Sequence, residues 1–296
     1  MIGVSTRGFY DRSASAMTAL TARADALQTQ ISTTKKLQAP SDDAVGYQRL
    51  QALKTTGANE TVYAANVKIA QAALAQADST LGDINTQLQK ASELAVQGGN
   101  GTLSAEGKKA VAAQLRDVLA TIVGLANATD ARGQALFGGA ESGAAATLKA
   151  DGSLAFAPGQ PSAIPIGEGQ EVQVGVRAGD VLAIKDGPDI AQVLGAMASA
   201  LEAGGMPDAG DKAALEDISR QAVAAQSSVG ARAVRAEMQA AYFTSAALER
   251  EDVRSGIEDT DVTVAITELQ KTMTILSATQ ASFSKLSGLS LFSYLR

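Results

Sequence analysis

"YAANVKIAQAALAQADSTLGDINTQLQKASELA", residues 63–95, decides the fold class of this 296-residue chain. Tyr63, Val67, Ala70, Leu74, Ala77, Leu81, Ile84, Leu88, Ala91 and Ala95 alternate steps of four and three, which paints one apolar stripe along a helix. Taken from Ala44 to Gln97, that helix would be about 80 Å long at 1.5 Å per residue. A rod of such length needs partner helices along it. The alanines in the seam let those partners approach closely.

Working outward, "GGNGT" at 98–102 stops the rod, and a third helix is expected over about 104–129 with Val111, Leu115, Val118, Ile122 and Leu125 on one face. Upstream, Met17, Leu20, Ala24, Leu27 and Ile31 form a seam on a helix over about 5–37. "QAPSDD" interrupts it: Pro40 blocks continuation, Ser41 is a suitable N-cap, and Asp42 and Asp43 would sit in the next helix's first turn. From about 138 to 187 glycine and proline cluster and helical periodicity is lost. "TLKADGSLAFAP" reads as a hairpin with an Asp-Gly turn, and "QEVQVGVRAGDVLAIKDG" alternates as strands. Helix resumes at "PDIAQVLGAMASAL", with Asp189 and Gln192 at capping-box spacing, and again from about 211 towards 256. Ser255 with Glu258 gives a second such spacing before a last seam of Val262, Ile266, Leu269, Met273, Leu276 and Phe283. The expected architecture is mainly α: an elongated antiparallel helical bundle, or coiled coil, of N- and C-terminal helices with a small β-rich inserted domain. Its segments are 1–40, 41–139, 140–187, 188–256 and 257–296.

Composition narrows the function. Histidine and cysteine are absent, which removes the commonest general base, disulfides and thiolate metal sites. A formal charge of −6 opposes nucleic-acid binding, which needs a basic stripe. No run of eighteen apolar residues is present to span a membrane, and the start lacks a signal-peptide core. "STTK" at 32–35 has the S-x-x-K spacing of an acyl-enzyme nucleophile but none of its partner motifs, so a helix terminus is the better reading. Glu258, Asp259 and Asp261 could suggest a metal, but near a helix start they more simply complement its dipole. Asn59, Asn100 and Asn127 lie in N-x-S/T triplets, which matter only on a glycosylating route. No catalytic residue, cofactor or metal is expected.

Both ends of the chain are apolar stripes without a partner nearby in sequence. They are expected to pair with each other and with copies of themselves. The contact residues are Met17, Leu20, Leu27 and Ile31 at one end, and Ile266, Leu269, Met273, Leu276, Phe283, Leu289, Leu291, Phe292 and Leu295 at the other. Apolar surface of that extent marks an interaction site.

Four stretches add a resemblance: "PSDDAVGYQRL" (40–50), "ARGQALFGG" (131–139), "SGIEDTDVTVAITEL" (255–269) and "QASFSKLSGLSLFSYLR" (280–296). In this order they resemble the bacterial flagellin family over residues 1–139 and 188–296. The opening "MIGVSTRGFY" and the ending are more similar to its hook–filament junction subunits than to filament formers. The resemblance implies a structural subunit exported unfolded by the flagellar type III apparatus without a cleaved signal, then assembled outside the cell. It implies contacts with copies of itself in a ring, with a first hook-associated protein and with flagellin, and an export chaperone on the C-terminal helix. It also implies terminal helices that are largely disordered until they assemble. The other readings are a filament-forming flagellin, a helical enzyme using the 140–187 insert, and a cytoplasmic coiled-coil signalling module.

Overall fold

A computed structural model describes residues 3–130, 132–139 and 143–294, with side chains from 8 to 285 within those ranges. Its elements are α1 (Gly3–Thr33), α2 (Ala44–Gly98), α3 (Ala105–Ala126), β1 (Ala146–Leu148), β2 (Leu154–Phe156), β3 (Ala163–Gly167), β4 (Gln170–Gln173), α4 (Ala178–Leu182), α5 (Ile190–Glu202), α6 (Ala209–Glu258) and α7 (Val262–Tyr294). The chain divides into two units: one holds residues up to Gly57 and from Ala246 onward, the other Ala58–Ser245.

The 58–245 unit is built on the α2 seam. Every expected seam residue from Val67 to Ala95 is buried, and Tyr63 at its start is half-buried. The covering side chains come from α3 (Val111, Leu115, Ile122), α5 (Ile190, Leu194, Met197) and α6 (Leu215, Ile218, Val229, Phe243). α6 runs antiparallel to α2. Tyr63 stacks on Phe243 with ring centroids 6.3 Å apart, and further along Asn85 donates to Gln226 at 2.8 Å. The α3 cap is Ser104, which accepts from the Gly107 amide, and Asp189 and Gln192 form the expected capping box at α5.

The insert is less β-rich than its alternation suggests. Its described residues contain two separate two-stranded antiparallel hairpins, β1–β2 and β3–β4. The Asp-Gly turn of the first is present, with Gly152 at φ +83. The second differs from expectation, because β4 ends at Gln173 and Ala178–Leu182 is a helix. Val181 and Leu182 are consecutive and both buried, which a strand packed on one face cannot provide. The strand edge is also occupied: the Ala178 amide donates to the Phe137 carbonyl at 2.7 Å, and a Cβ on Gly175 would lie 2.0 Å from the Leu136 carbonyl oxygen. Among the described residues no helix is long and apolar enough to cross a membrane, and no group of carboxylates is placed to hold a metal ion.

Leu115 is fully buried beneath the α2 seam. Leu115→Ala is therefore expected to cost about 2–5 kcal/mol, read as a lower denaturant midpoint of the 58–245 unit with an unchanged slope.

Candidate assembly interface

The unit formed by the two chain ends contains two interhelical joints and the pair α1–α7. α1 stops at Thr33, and Thr34 takes a positive φ of 58°. The cap of α2 is Asp43 rather than Ser41: its carboxylate accepts from the amides of Val45 and Gly46, each at 3.0 Å. Asp42 faces backwards and accepts from the amides of Gln38 and Ala39, each at 2.9 Å, closing the turn. A Cβ at Gly46 would sit 2.5 Å from Asp43 Oδ2, so a larger residue there would displace the capping carboxylate.

The second joint also shifts from its expected place. α6 runs through Ser255 to Glu258, so Ser255 is not a cap; its hydroxyl donates to Asp259 at 2.6 Å. Asp261 caps α7 instead, accepting from Thr263 and Val264 at 2.9 and 3.1 Å. Two carboxylates with similar local spacing compete for each cap, and the turn geometry selects between them.

The two joints are fastened to each other. The Lys36 amide donates to the Glu258 carbonyl at 2.8 Å, the Thr260 amide donates to the Thr34 carbonyl at 2.9 Å, and Lys35 and Asp259 form an antiparallel bridge. Beneath them the Glu258 carboxylate, only 4 % exposed, accepts from Lys35 Nζ at 2.6 Å and from Arg254 Nη1 at 2.7 Å. Lys35 of the "STTK" motif is thus committed to an ion pair, and the Ser32 hydroxyl donates to the Thr29 carbonyl.

From these joints α1 and α7 run antiparallel. Arg23 pairs with Glu268 at 2.7 Å, and further out Tyr10 meets Phe283 edge-on, with centroids 5.3 Å apart. The α1 seam is placed as expected: Ala24 is buried, and Met17, Leu20, Leu27 and Ile31 are half-buried. On α7, Leu269, Leu276 and Phe283 are also half-buried, and their companion row is Ala265, Thr272 and Thr279. Ile266 and Met273 instead lie outside it, 41 % and 50 % exposed. Small side chains at the closest approach draw the helices together and move the larger ones onto the flanks. Val264 and Ile275 are exposed on the opposite flank, 57 % and 44 %. The outer face of α1 carries polar residues such as Thr18, Thr21, Asp25 and Gln28. Leu289, Leu291 and Phe292 belong to α7, but their side chains, like Leu295, lie outside the described residues.

Comparisons with known proteins find flagellar relatives. Residues 4–142 match the family model of the bacterial flagellin N-terminal helical region. Flagellar hook-associated protein 3 of Salmonella typhimurium is 32% identical over 149 residues, which cover 50% of this chain and 47% of that protein. The chain therefore spans about half the length of that relative. In fold, a protein described as flagellar hook-associated from Vibrio parahaemolyticus superposes with a TM-score of 0.65 at 19% identity, covering 74% of this chain and 100% of its own. The flagellar junction protein FlgL of Legionella pneumophila gives 0.56 at 14% identity, covering 64% and 99%. Over residues 4–142 the chain is thus similar to the flagellin N-terminal helical region. Flagellar hook-associated protein 3 of Escherichia coli is likewise similar, 30% identical over 110 residues, which cover 37% of this chain and 35% of that protein.

The joint has a pH signature. Burial alone would push the Glu258 carboxyl up, but hydrogen bonds from Lys35 and Arg254, aided by the charges of Lys35 and Lys54, outweigh it and hold it below its ordinary value. Arg23 acts likewise on Glu268. A carboxylate depressed by folding stabilises fully above its unfolded pKa of about 4.3 and loses that contribution as pH falls through the lower folded value. Thermal melts followed by circular dichroism are expected to show this unit unchanged from pH 8 to about 5 and weakening below about 4.

Proposed function

We propose that the chain is a structural subunit of the bacterial flagellum that joins the hook to the flagellin filament. The joining contacts are made by terminal helices of neighbouring copies. One observation carries the reading: pairing with α1 leaves α7 with Val264 and Ile275 exposed on one flank and Ile266 and Met273 on the other. Water does not favour an apolar stripe wider than its partner can cover, and burying it in a neighbour contributes about 25 cal/mol per Å². A permanent contact of this kind buries more than about 1,600 Å².

On this reading the residues that bind neighbours are the flanks of α7 and the apolar positions Leu289, Leu291, Phe292 and Leu295 at the end of the sequence, with Met17, Leu20, Leu27 and Ile31 shaping the pair beneath. The neighbours are copies of the chain in a ring, a first hook-associated protein on one side and flagellin on the other. An export chaperone occupies the C-terminal helix before assembly, and the site of action is the extracellular hook–filament junction. No reaction is assigned to the chain.

Labelled antibody on purified flagella is expected to mark a band at the end of the hook; staining along the whole filament would replace this reading with that of a filament subunit. The paired substitution Ile266→Asp and Met273→Asp is expected to abolish incorporation into flagella while leaving the melt of the 58–245 unit unchanged. Removing residues 277–296 should do the same, and full incorporation of the truncated chain would contradict the proposal.

A further inference from the structure

Of the five asparagines in the chain, four are held in place. Asn59, Asn66 and Asn85 lie inside α2, where the amide that follows each belongs to the helical ladder. Asn66 also donates to the Pro165 carbonyl at 2.9 Å, and Asn85 to Gln226 at 2.8 Å. Asn127 grips both backbone groups of Ala146, at 2.8 and 3.0 Å, and the Ala128 amide behind it donates to the Leu125 carbonyl.

Asn100 differs in each respect. It lies in the exposed turn between α2 and α3, and it precedes a glycine, the only Asn-Gly pair in the sequence. Among the described residues the Gly101 amide makes no hydrogen bond, and a Cβ on Gly101 would meet nothing within 4 Å. Asn100 Oδ1 accepts from the Thr102 amide at 3.1 Å and from the Thr102 hydroxyl at 2.8 Å. This Asx turn folds the Asn100 side chain back over the peptide that follows it. A free nitrogen, an open approach and a doubly polarised carbonyl therefore meet in one turn.

We propose that Asn100 is a self-modifying site, which the α2–α3 turn primes for deamidation. The Gly101 nitrogen forms a bond to Asn100 Cγ and gives its proton to water, while the two Thr102 donors stabilise the oxyanion that develops on Oδ1. The Cγ–Nδ2 bond then breaks, Nδ2 takes a proton from water and departs as ammonia, and a cyclic imide remains. Water adds across either carbonyl of that imide. One route gives aspartate; the other gives isoaspartate, with the main chain rerouted through the former side chain. The reaction consumes only water, and neither oxidant nor reductant takes part. Either product places a negative charge just beyond the C-terminus of α2, an unfavourable position for one. Isoaspartate also lengthens the main chain between Gln97 and Leu103, whose hydrogen bonds to the Asn100 backbone shape the turn. The site is independent of the assembly reading above.

Peptide mapping by mass spectrometry, on the full chain held at mildly alkaline pH, tests this. Residue 100 should become a growing mixture of aspartate and isoaspartate while the other four asparagines stay intact. Thr102→Val, at an exposed position, removes one donor and should slow the conversion about three- to tenfold; Thr102→Ser should restore it. Gly101→Ala fits the turn, since Gly101 has no positive φ and open space lies beside it. It should slow the conversion about tenfold or more, because a Cβ hinders the attacking nitrogen. The chain unfolded in urea should convert no faster than the folded chain, whose turn already supplies the geometry and the donors. Faster conversion on unfolding would mean that the fold protects Asn100, and the proposal would be overturned. An unchanged rate in Thr102→Val, or conversion of another asparagine ahead of Asn100, would overturn it equally.

Discussion

Two helices in contact can shelter only one narrow face of each other, and this limit governs the structure. In the 58–245 unit the α2 seam is met by α3, α5 and α6, and its residues from Val67 to Ala95 are buried. Among the described residues of the chain-end unit α7 packs mainly on α1, and its large seam residues reach half-burial at most. Similar heptad patterns therefore give a finished core in one place and an unfinished one in the other. The difference lies in the number of neighbours rather than in the pattern. An apolar strip that one partner cannot cover is a request for a second, and a subunit of a polymer supplies that second partner from another copy.

The same limit explains why small and polar residues occupy the centre of the α1–α7 contact. Ala24, Ala265 and Thr272 are the buried residues of the pair among the described side chains, and the Thr272 hydroxyl donates to the Glu268 carbonyl at 2.8 Å. A bulky row there would widen the gap and draw Ile266 and Met273 inward, using up the surface left for a neighbour. Placing alanine and threonine inside keeps the pair close and the flanks apolar. A modest intrachain contact thus coexists with exposed apolar flanks.

Much of this was legible in the chain itself. The α2 seam, the break at 98–102, the Asp189 capping box and the Asp151–Gly152 turn all depend on residues close in sequence, and each lies where local spacing puts it. The misplacements share a cause. Ser41 and Ser255 satisfy local capping rules, but Asp43 and Asp261 hold the caps because each joint is shaped by hydrogen bonds to the other, more than two hundred residues away. The phase of the α7 seam is likewise set by how closely α1 approaches. Alternation over 174–184 resembled strand because a short buried helix and a strand both place apolar residues densely, and the occupied edge beside Gly175 decides between them. The apolar seam of α7 was legible from its spacing, yet its exposed flanks, Val264 and Ile275 among them, needed the observed packing to be told apart from the seam.

A buried ion pair is a weak way to stabilise a joint, because desolvating Glu258 offsets much of what Lys35 and Arg254 return. An apolar cluster of similar size would hold these turns together at least as strongly. It would also tolerate a slip of one residue between the two joints, since apolar contact has little directional preference. A carboxylate does not. Moving Glu258 away from its two cations leaves a buried charge unpaired, at about 3–5 kcal/mol for a fully buried group and less here because Lys35 is 42 % exposed. That penalty falls on misregistered pairings and spares the correct one. Together with the two backbone hydrogen bonds between the joints, the triad favours a single register of α1 against α7, set where α1 ends and α7 begins.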